Sequence, residues 1–233
     1  MNSQFSVLHH MPYRRLPNTD SARIRALKSA IEKASNTDFP ELSFSADILD
    51  EAKSVLTVFE QLSARYRQLY DIEVNAGHSF AKTTQNARIY ISHFIQVLYL
   101  CVVRSEIKEE QLDIYGLRDT RLVVPDLTSD EQLLEWGEKT IRGEYERISR
   151  GGVPIYNPSI AKVNVMFTLF KDGYQTQKLH QKATACVLQE VAAYREKVDK
   201  IIIEIWEEVE KHNTGLPPEK KLARNREYGI VYY

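Results

Sequence analysis

A run of polar side chains interrupts the apolar side of a long predicted helix near residue 180. The spacing of three and four residues that marks this side continues through Tyr174, Gln177 and Gln181. Polar groups that converge inside an apolar bundle are typical of small-molecule pockets. Amide side chains at such positions also need hydrogen-bond partners, because burying them unpaired is costly. We therefore predict Tyr174, Gln177 and Gln181 as candidate ligand-binding residues, for a small polar ligand.

The same residues have a structural interpretation, which this spacing favours over a pocket. A satisfied polar layer can fix the register between helices, as a single asparagine does in coiled coils. Simple exposure of this face would explain the residues equally well. A catalytic role has the least support, and no catalytic residue is assigned.

Motifs for metal and nucleotide chemistry are absent from the sequence. It contains no Glu-x-x-His, His-Glu-x-x-His, Cys-x-x-Cys, phosphate-cradling loop or Gly-x-Ser-x-Gly, which are the common signatures of such sites. His9 and His10 are adjacent, and neighbouring side chains of a strand point to opposite faces, which suits chelation poorly. We expect no metal and no cofactor, and the sequence leans away from an enzyme.

A glycine-containing loop at residues 151–157 directly precedes the long helix. Such a loop at a helix N-terminus can hold an anion. No Lys-Ser or Lys-Thr pair follows it, so a tight loop feeding a capped helix is favoured. Asn157 is the predicted cap, with Pro158 at the first helical position.

The composition indicates a protein without a strong attraction for nucleic acid or membranes. The net charge is −1 and the pI about 6.6, so no overall field draws in polyanions. The start of the chain has no apolar signal region. The most apolar segment, residues 89–103, is too short to span a bilayer. We expect a cytoplasmic protein that binds neither nucleic acid nor membrane.

The apolar periodicity predicts five helices, of which the long one is the last. The first begins at Asn18 or Thr19 and ends near Ser35, and the second begins at Ser45 and ends at Gly77, where a left-handed residue belongs. The third runs from residue 79 to about 107 and lies antiparallel to the second. The fourth begins with a capping box at residues 128 and 131 and carries Gly137 on its apolar side, which indicates close helix approach.

The long helix covers residues 158–212 and would extend about 80 Å if unbroken, with a bend at Gly173 as the alternative. Its predicted apolar stripe is Val163, Phe167, Phe170, Tyr174, Leu188, Val191, Val198, Ile202, Ile205 and Val209.

The alternation of residues 228–233 at the end of the chain predicts a strand, and residues 121–124 are its predicted partner. The long helix ends in glutamates, and we predict that the basic residues after them fold back to neutralise them. The glutamates are Glu204, Glu207, Glu208 and Glu210, and the basic residues are Lys220, Lys221, Arg224 and Arg226.

These elements predict an all-α fold: an elongated antiparallel helical bundle around one long C-terminal helix, with a minor β element from the C-terminal strand. We expect one domain over residues 1–233, with an irregular N-terminal segment at 1–17 and a tail at 214–233. A helix this long cannot bury its stripe alone, so the other helices must lie along it.

Five segments resemble a family of uncharacterised bacterial all-helical proteins with no assigned function. They are residues 87–98, 136–144, 151–161, 199–206 and 228–232. The resemblance covers most of the chain after the first helix and supplies no activity, ligand or functional residue. The function we expect is a non-enzymatic structural or interaction protein, with homo-oligomerisation through leftover apolar surface. The alternative is a binder of a small polar ligand in the bundle interior.

Overall fold

A computed structural model, which describes residues 13–37 and 41–233, confirms the all-α fold with a minor β element. The adjacent histidines His9 and His10 and the N-terminal residues before them lie outside the described residues. The elements are β1 (Arg14–Arg15), α1 (Asp20–Ser35), α2 (Ala46–Val103), α3 (Asp130–Ser149), α4 (Ile160–His212), α5 (Pro218–Glu227) and β2 (Val231–Tyr232), with short 3-10 turns at Glu109–Tyr115, Arg118–Thr120 and Asn213–Gly215.

The described residues form two compact units, the first containing residues 13–37, 41–68 and 185–233 and the second residues 69–184. Both α2 and α4 contribute a segment to each unit. In the first unit, Arg65 pairs with Glu190 and Glu51 with Lys197, so the two helices are antiparallel there. The same direction holds in the second unit, as the pairs described next demonstrate. The expected single domain over residues 1–233 stays a prediction.

The predicted break at Gly77 is wrong, because α2 continues through it as one helix of 58 residues. Gly77 packs beside the Gln177 side chain, which would lie 3.6 Å from an added Cβ. Just beyond it, the Phe80 ring stacks on Phe170 of α4 at 5.8 Å between centroids. A glycine inside a helix costs only about 1 kcal/mol, and packing of this kind on the C-terminal side of Gly77 offsets that cost.

The long helix α4 is continuous over 53 residues, with no break at Gly173. Gly173 instead makes room for a neighbour, since an added Cβ would lie 2.9 Å from the Phe80 ring. The predicted stripe is buried at most positions, but Leu188 is 38% exposed and Val187 is buried in its place. The spacing of the stripe therefore shifts by one residue where the polar stretch ends.

Two helices, α3 and α4, begin one or two residues later than predicted. Thr19 caps α1 as expected. The capping box of α3 is formed by Ser129 and Gln132 rather than by residues 128 and 131. Asn157 is not the cap of α4, because the helix begins at Ile160 and the Ser159 hydroxyl accepts from the amide of Lys162 at 3.4 Å.

Gly137 of α3 provides the close approach that its position on the apolar side predicted. An added Cβ would lie 2.3 Å from the Phe167 ring of α4. The absence of a side chain therefore lets this ring pack against the backbone of α3.

The partner of the C-terminal strand is β1 and not residues 121–124. Arg14 lies opposite Tyr232 and Arg15 opposite Val231 in an antiparallel pair. Arg121 and Leu122 have φ of +54° and +60°, a left-handed conformation that no strand adopts. The N-terminal segment predicted as irregular thus includes a strand, and the predicted tail contains helix α5.

Two of the four glutamates at the end of α4, Glu207 and Glu210, form ion pairs with a residue near the start of the chain. Arg14 lies 3.2 Å from Glu210 and 3.7 Å from Glu207. Among the described residues, none of the four basic residues after the helix pairs with these carboxylates. The predicted fold-back of those basic residues is therefore wrong, and the strand pairing of Arg14 explains why it replaces them.

The hydroxyl of Tyr232 links the C-terminal strand to α4. It donates to Glu210 at 2.5 Å and accepts from Asn225 at 2.8 Å. Burial and the hydrogen bond to Glu210 raise the pKa of Tyr232 to about 12, from an ordinary 10.0. The folded state therefore holds this proton more tightly than the unfolded chain does.

This difference predicts how stability changes at high pH. The contribution of Tyr232 is fully present below about pH 10 and is lost as the pH rises toward 12. We expect the urea midpoint to fall less steeply above pH 10 in Tyr232→Phe than in the wild type, when both are measured from about pH 8 to 11. Parallel curves for the two proteins would contradict the shift.

Candidate functional site

The three predicted ligand-binding residues lie on the second-unit part of α4 but do not form one site. The Tyr174 ring contacts Phe80 and its hydroxyl donates to Glu131 at 3.1 Å. Gln177 is half-buried and its Oε1 has no hydrogen-bond partner. Gln181 is exposed. Tyr174 therefore serves in packing, and only Gln177 presents a buried polar atom without a partner.

A cleft of about 700 Å³ lies elsewhere in the second unit. Its walls are the end of α2, the segment that follows it, and residues 151–157. This loop is the glycine-containing stretch that the sequence offered as a possible anion site. The size is within the range of about 300 to 1,000 Å³ that is common for small-molecule sites.

A buried charged network underlies one wall of this cleft. Glu144 and Arg147 of α3 are 0% and 2% exposed. The Glu144 carboxylate accepts from Nε and Nη2 of Arg147 at 2.9 and 2.8 Å, and from the Tyr115 hydroxyl at 2.5 Å. It also accepts from the amide of Ile155 at 3.1 Å, so the carboxylate is fully paired.

The network fixes the loop as well as the helix. Arg147 Nη2 also donates to the carbonyl of Val153 at 2.7 Å. Together with the amide of Ile155, this contact ties both sides of the loop to one ion pair. The wall of the cleft is thus held by charge-assisted hydrogen bonds, which are stronger than neutral ones.

One nitrogen of Arg147 remains unused. Nε and Nη2 make all the hydrogen bonds of the guanidinium, and Nη1 has no acceptor in the described part of the chain. Nη1 lies against Gly152, where an added Cβ would be only 2.6 Å away. Because both Arg147 and Gly152 line the cleft, this donor is presented to whatever occupies it.

The Tyr115 hydroxyl and the Cys101 thiol near the cleft are held in protonated forms. Burial and the hydrogen bond to Glu144 raise the pKa of Tyr115 above its ordinary value. Burial and the neighbouring Glu106 carboxylate raise the pKa of the Cys101 thiol. A nucleophilic cysteine needs a lowered pKa, so this arrangement suits binding rather than nucleophilic catalysis.

The sequence analysis missed Glu144 and Arg147 because opposite charges three residues apart usually form a surface pair. A signal was nevertheless present. The apolar side of α3 runs through Leu133, Gly137 and Thr140, and the same steps of three and four reach residues 144 and 147. Continuing that side to the end of the helix would have placed both charges in the interior.

Neither a metal site nor a firm membrane span is found in the described part of the chain. No group of three or more His, Cys, Asp or Glu side chains is placed to hold a metal ion in residues 13–37 and 41–233. Helix α2 is long and apolar enough to cross a membrane by length and composition alone, so length does not argue against a span. The core helix of a protein in water has the same length and composition.

Comparison of the chain with family models, curated proteins and solved structures gives no match. The resemblance to bacterial all-helical proteins therefore stays a prediction. Function has to be argued from the geometry of the chain itself.

Proposed function

We propose that this protein is a non-enzymatic helical-bundle protein that binds a small ligand in the cleft of its second unit. The observation that carries the proposal is the unused Nη1 donor of Arg147, on a side chain that is 2% exposed. Nη1 is open to solvent within the cleft, so an acceptor on a ligand would replace water as its partner. The proposed ligand site is therefore the cleft beside residues 151–157, in place of the site predicted at Gln177 and Gln181.

Glycine signals offer a direct test of this proposal. The chain contains nine glycines, so selective 15N-glycine labelling yields a simple spectrum. We expect members of a set of neutral, cationic and anionic fragments to shift the amide signals of Gly151 and Gly152. Gly215, in the first unit and with no atom within 4 Å of an added Cβ, serves as the control.

The fragment screen has two decisive outcomes. Shifts confined to Gly151 and Gly152 would support a ligand site in the cleft. If no fragment moves them, or if Gly215 moves equally, the proposed function is wrong. We propose a cytoplasmic location for such a protein, consistent with its near-neutral charge.

A structural or interaction role through self-association is the second candidate. Ile89, Leu100 and Val103 of α2 are 54%, 50% and 67% exposed. With His93 and Gln96 they follow steps of four and three along one face, the spacing that pairs helices. We expect a homo-oligomer to form through this face.

Sedimentation at micromolar concentration tests this second role. An assembly that dissociates in Leu100→Lys and persists in a matched change away from the face, Lys182→Gln, would support it. A wild-type protein that stays monomeric at every concentration would rule it out.

A further inference from the structure

The cleft offers two hydrogen-bond donors that carry positive charge and have no partner. Arg147 Nη1 is one, at the buried wall. The other is Lys108, which lines the same cleft and forms no ion pair with any described residue. Both donate only and cannot accept, so the group that they recognise must be an acceptor.

The charged groups already present around the cleft limit the negative charge that the acceptor can carry. Glu144 balances Arg147, and Glu106 of the cleft wall offsets Lys108, so these four groups carry no net charge. Glu106 also lines the cleft and is exposed, so its carboxylate repels further negative charge. The two cationic donors can hydrogen-bond the oxygens of a singly charged acceptor, whereas a phosphate dianion or a polyanion would bring a larger excess of negative charge and is disfavoured.

The remaining surface of the cleft is largely apolar. Val97, Ile107 and Ile155 line it, and the Cys101 thiol beside them is protonated because burial raises its pKa. Ile107 and Ile155 are each 7% exposed. Such a surface gains from contact with a hydrocarbon group, at about 25 cal/mol for each Å² removed from water.

We infer that the cleft binds a small monocarboxylate with an apolar body, whose carboxylate accepts from Arg147 Nη1 and Lys108. Its apolar body contacts Ile107 and Ile155. This inference rests on the proposed ligand-binding function and adds the chemical class of the ligand.

Hexanoate and its uncharged analogue hexanamide test the class of ligand. Titration of each into the 15N-glycine-labelled protein gives a dissociation constant from the signals of Gly151 and Gly152. We expect hexanoate to bind about tenfold more tightly, because a charge-assisted hydrogen bond is roughly twice as strong as a neutral one. The preference should shrink as salt is added, since Lys108 is exposed and therefore screened.

Lys108→Gln isolates the charge without disturbing the buried network. We expect it to weaken hexanoate binding about threefold and to leave hexanamide unchanged, as suits an exposed ion pair. Lys182→Gln, an exposed lysine on α4 with no ion pair among the described residues, should change neither constant.

The outcomes separate this inference from the proposal beneath it. If hexanamide binds as tightly as hexanoate, or if Lys108→Gln has no effect, the monocarboxylate assignment is overturned while a ligand-binding cleft stands. If neither the fragment set nor the two probes shift the amide signals of Gly151 and Gly152, the proposed ligand-binding function is wrong.

Discussion

Replacing Glu144 by glutamine should lower the free energy of unfolding by about 3 to 5 kcal/mol, the usual cost of leaving one partner of a buried ion pair uncompensated. Arg147 would keep its charge at 2% exposure, and an amide nitrogen cannot accept from a guanidinium. Urea unfolding followed by circular dichroism at neutral pH measures the change.

An exposed ion pair on the same helix provides a matched control. Glu146 pairs with Arg150, and their side chains are 41% and 65% exposed. Exposed pairs contribute about 0 to 1 kcal/mol, so Glu146→Gln should be nearly neutral. Equal losses in the two variants would contradict a buried network at Glu144.

A double replacement separates charge from packing. Glu144→Leu with Arg147→Met removes both charges together, and buried pairs replaced in this way are often neutral. We expect the double variant to be more stable than Glu144→Gln. A larger loss in the double variant would mean that the hydrogen bonds to Tyr115, Val153 and Ile155 outweigh the cost of burying the charges.

Replacing Phe170 by alanine should cost about 3 to 5 kcal/mol, the range for a large aromatic side chain lost from a core. Phe170 is 0% exposed. Its ring centroid lies 5.8 Å from that of Phe80 and 6.1 Å from those of Phe167 and Tyr174. Its removal leaves a cavity where the second-unit parts of α2 and α4 meet.

The neighbouring residue gives the control for this second variant. Leu169 precedes Phe170 on α4 and is 50% exposed, so Leu169→Ala should change stability by less than about 1 kcal/mol. Both proteins are compared by urea unfolding. A loss from Leu169→Ala as large as that from Phe170→Ala would contradict the burial of Phe170 and the exposure of Leu169.

Most of α4 and α1 was predictable because their signals are local. Steps of three and four placed Val163, Phe167 and Phe170 on one buried side, and Thr19 was a recognisable cap. The close approach at Gly137 followed from a missing side chain on an apolar face. Each of these features depends on residues within a few turns of one another.

The candidate site was only partly predictable. The loop at residues 151–157 attracted notice for its glycines, and it does line the cleft. The charged pair beneath it did not, since Glu144 and Arg147 have the spacing of an ordinary surface pair. Gln181 had core spacing and is exposed, because no neighbouring helix covers that position.

The sequence by itself determined the helical class, the existence of a long C-terminal helix and a strand near the C-terminus, through periodicity and capping along the chain, whereas only the structure excluded a bend at Gly173. The tertiary structure alone decided that α2 passes through Gly77, that Arg14 reaches Glu210, and that Glu144 and Arg147 are buried together. These outcomes depend on contacts between residues far apart in the chain, such as Phe80 with Phe170, and local propensities of about 1 kcal/mol yield to packing of that strength.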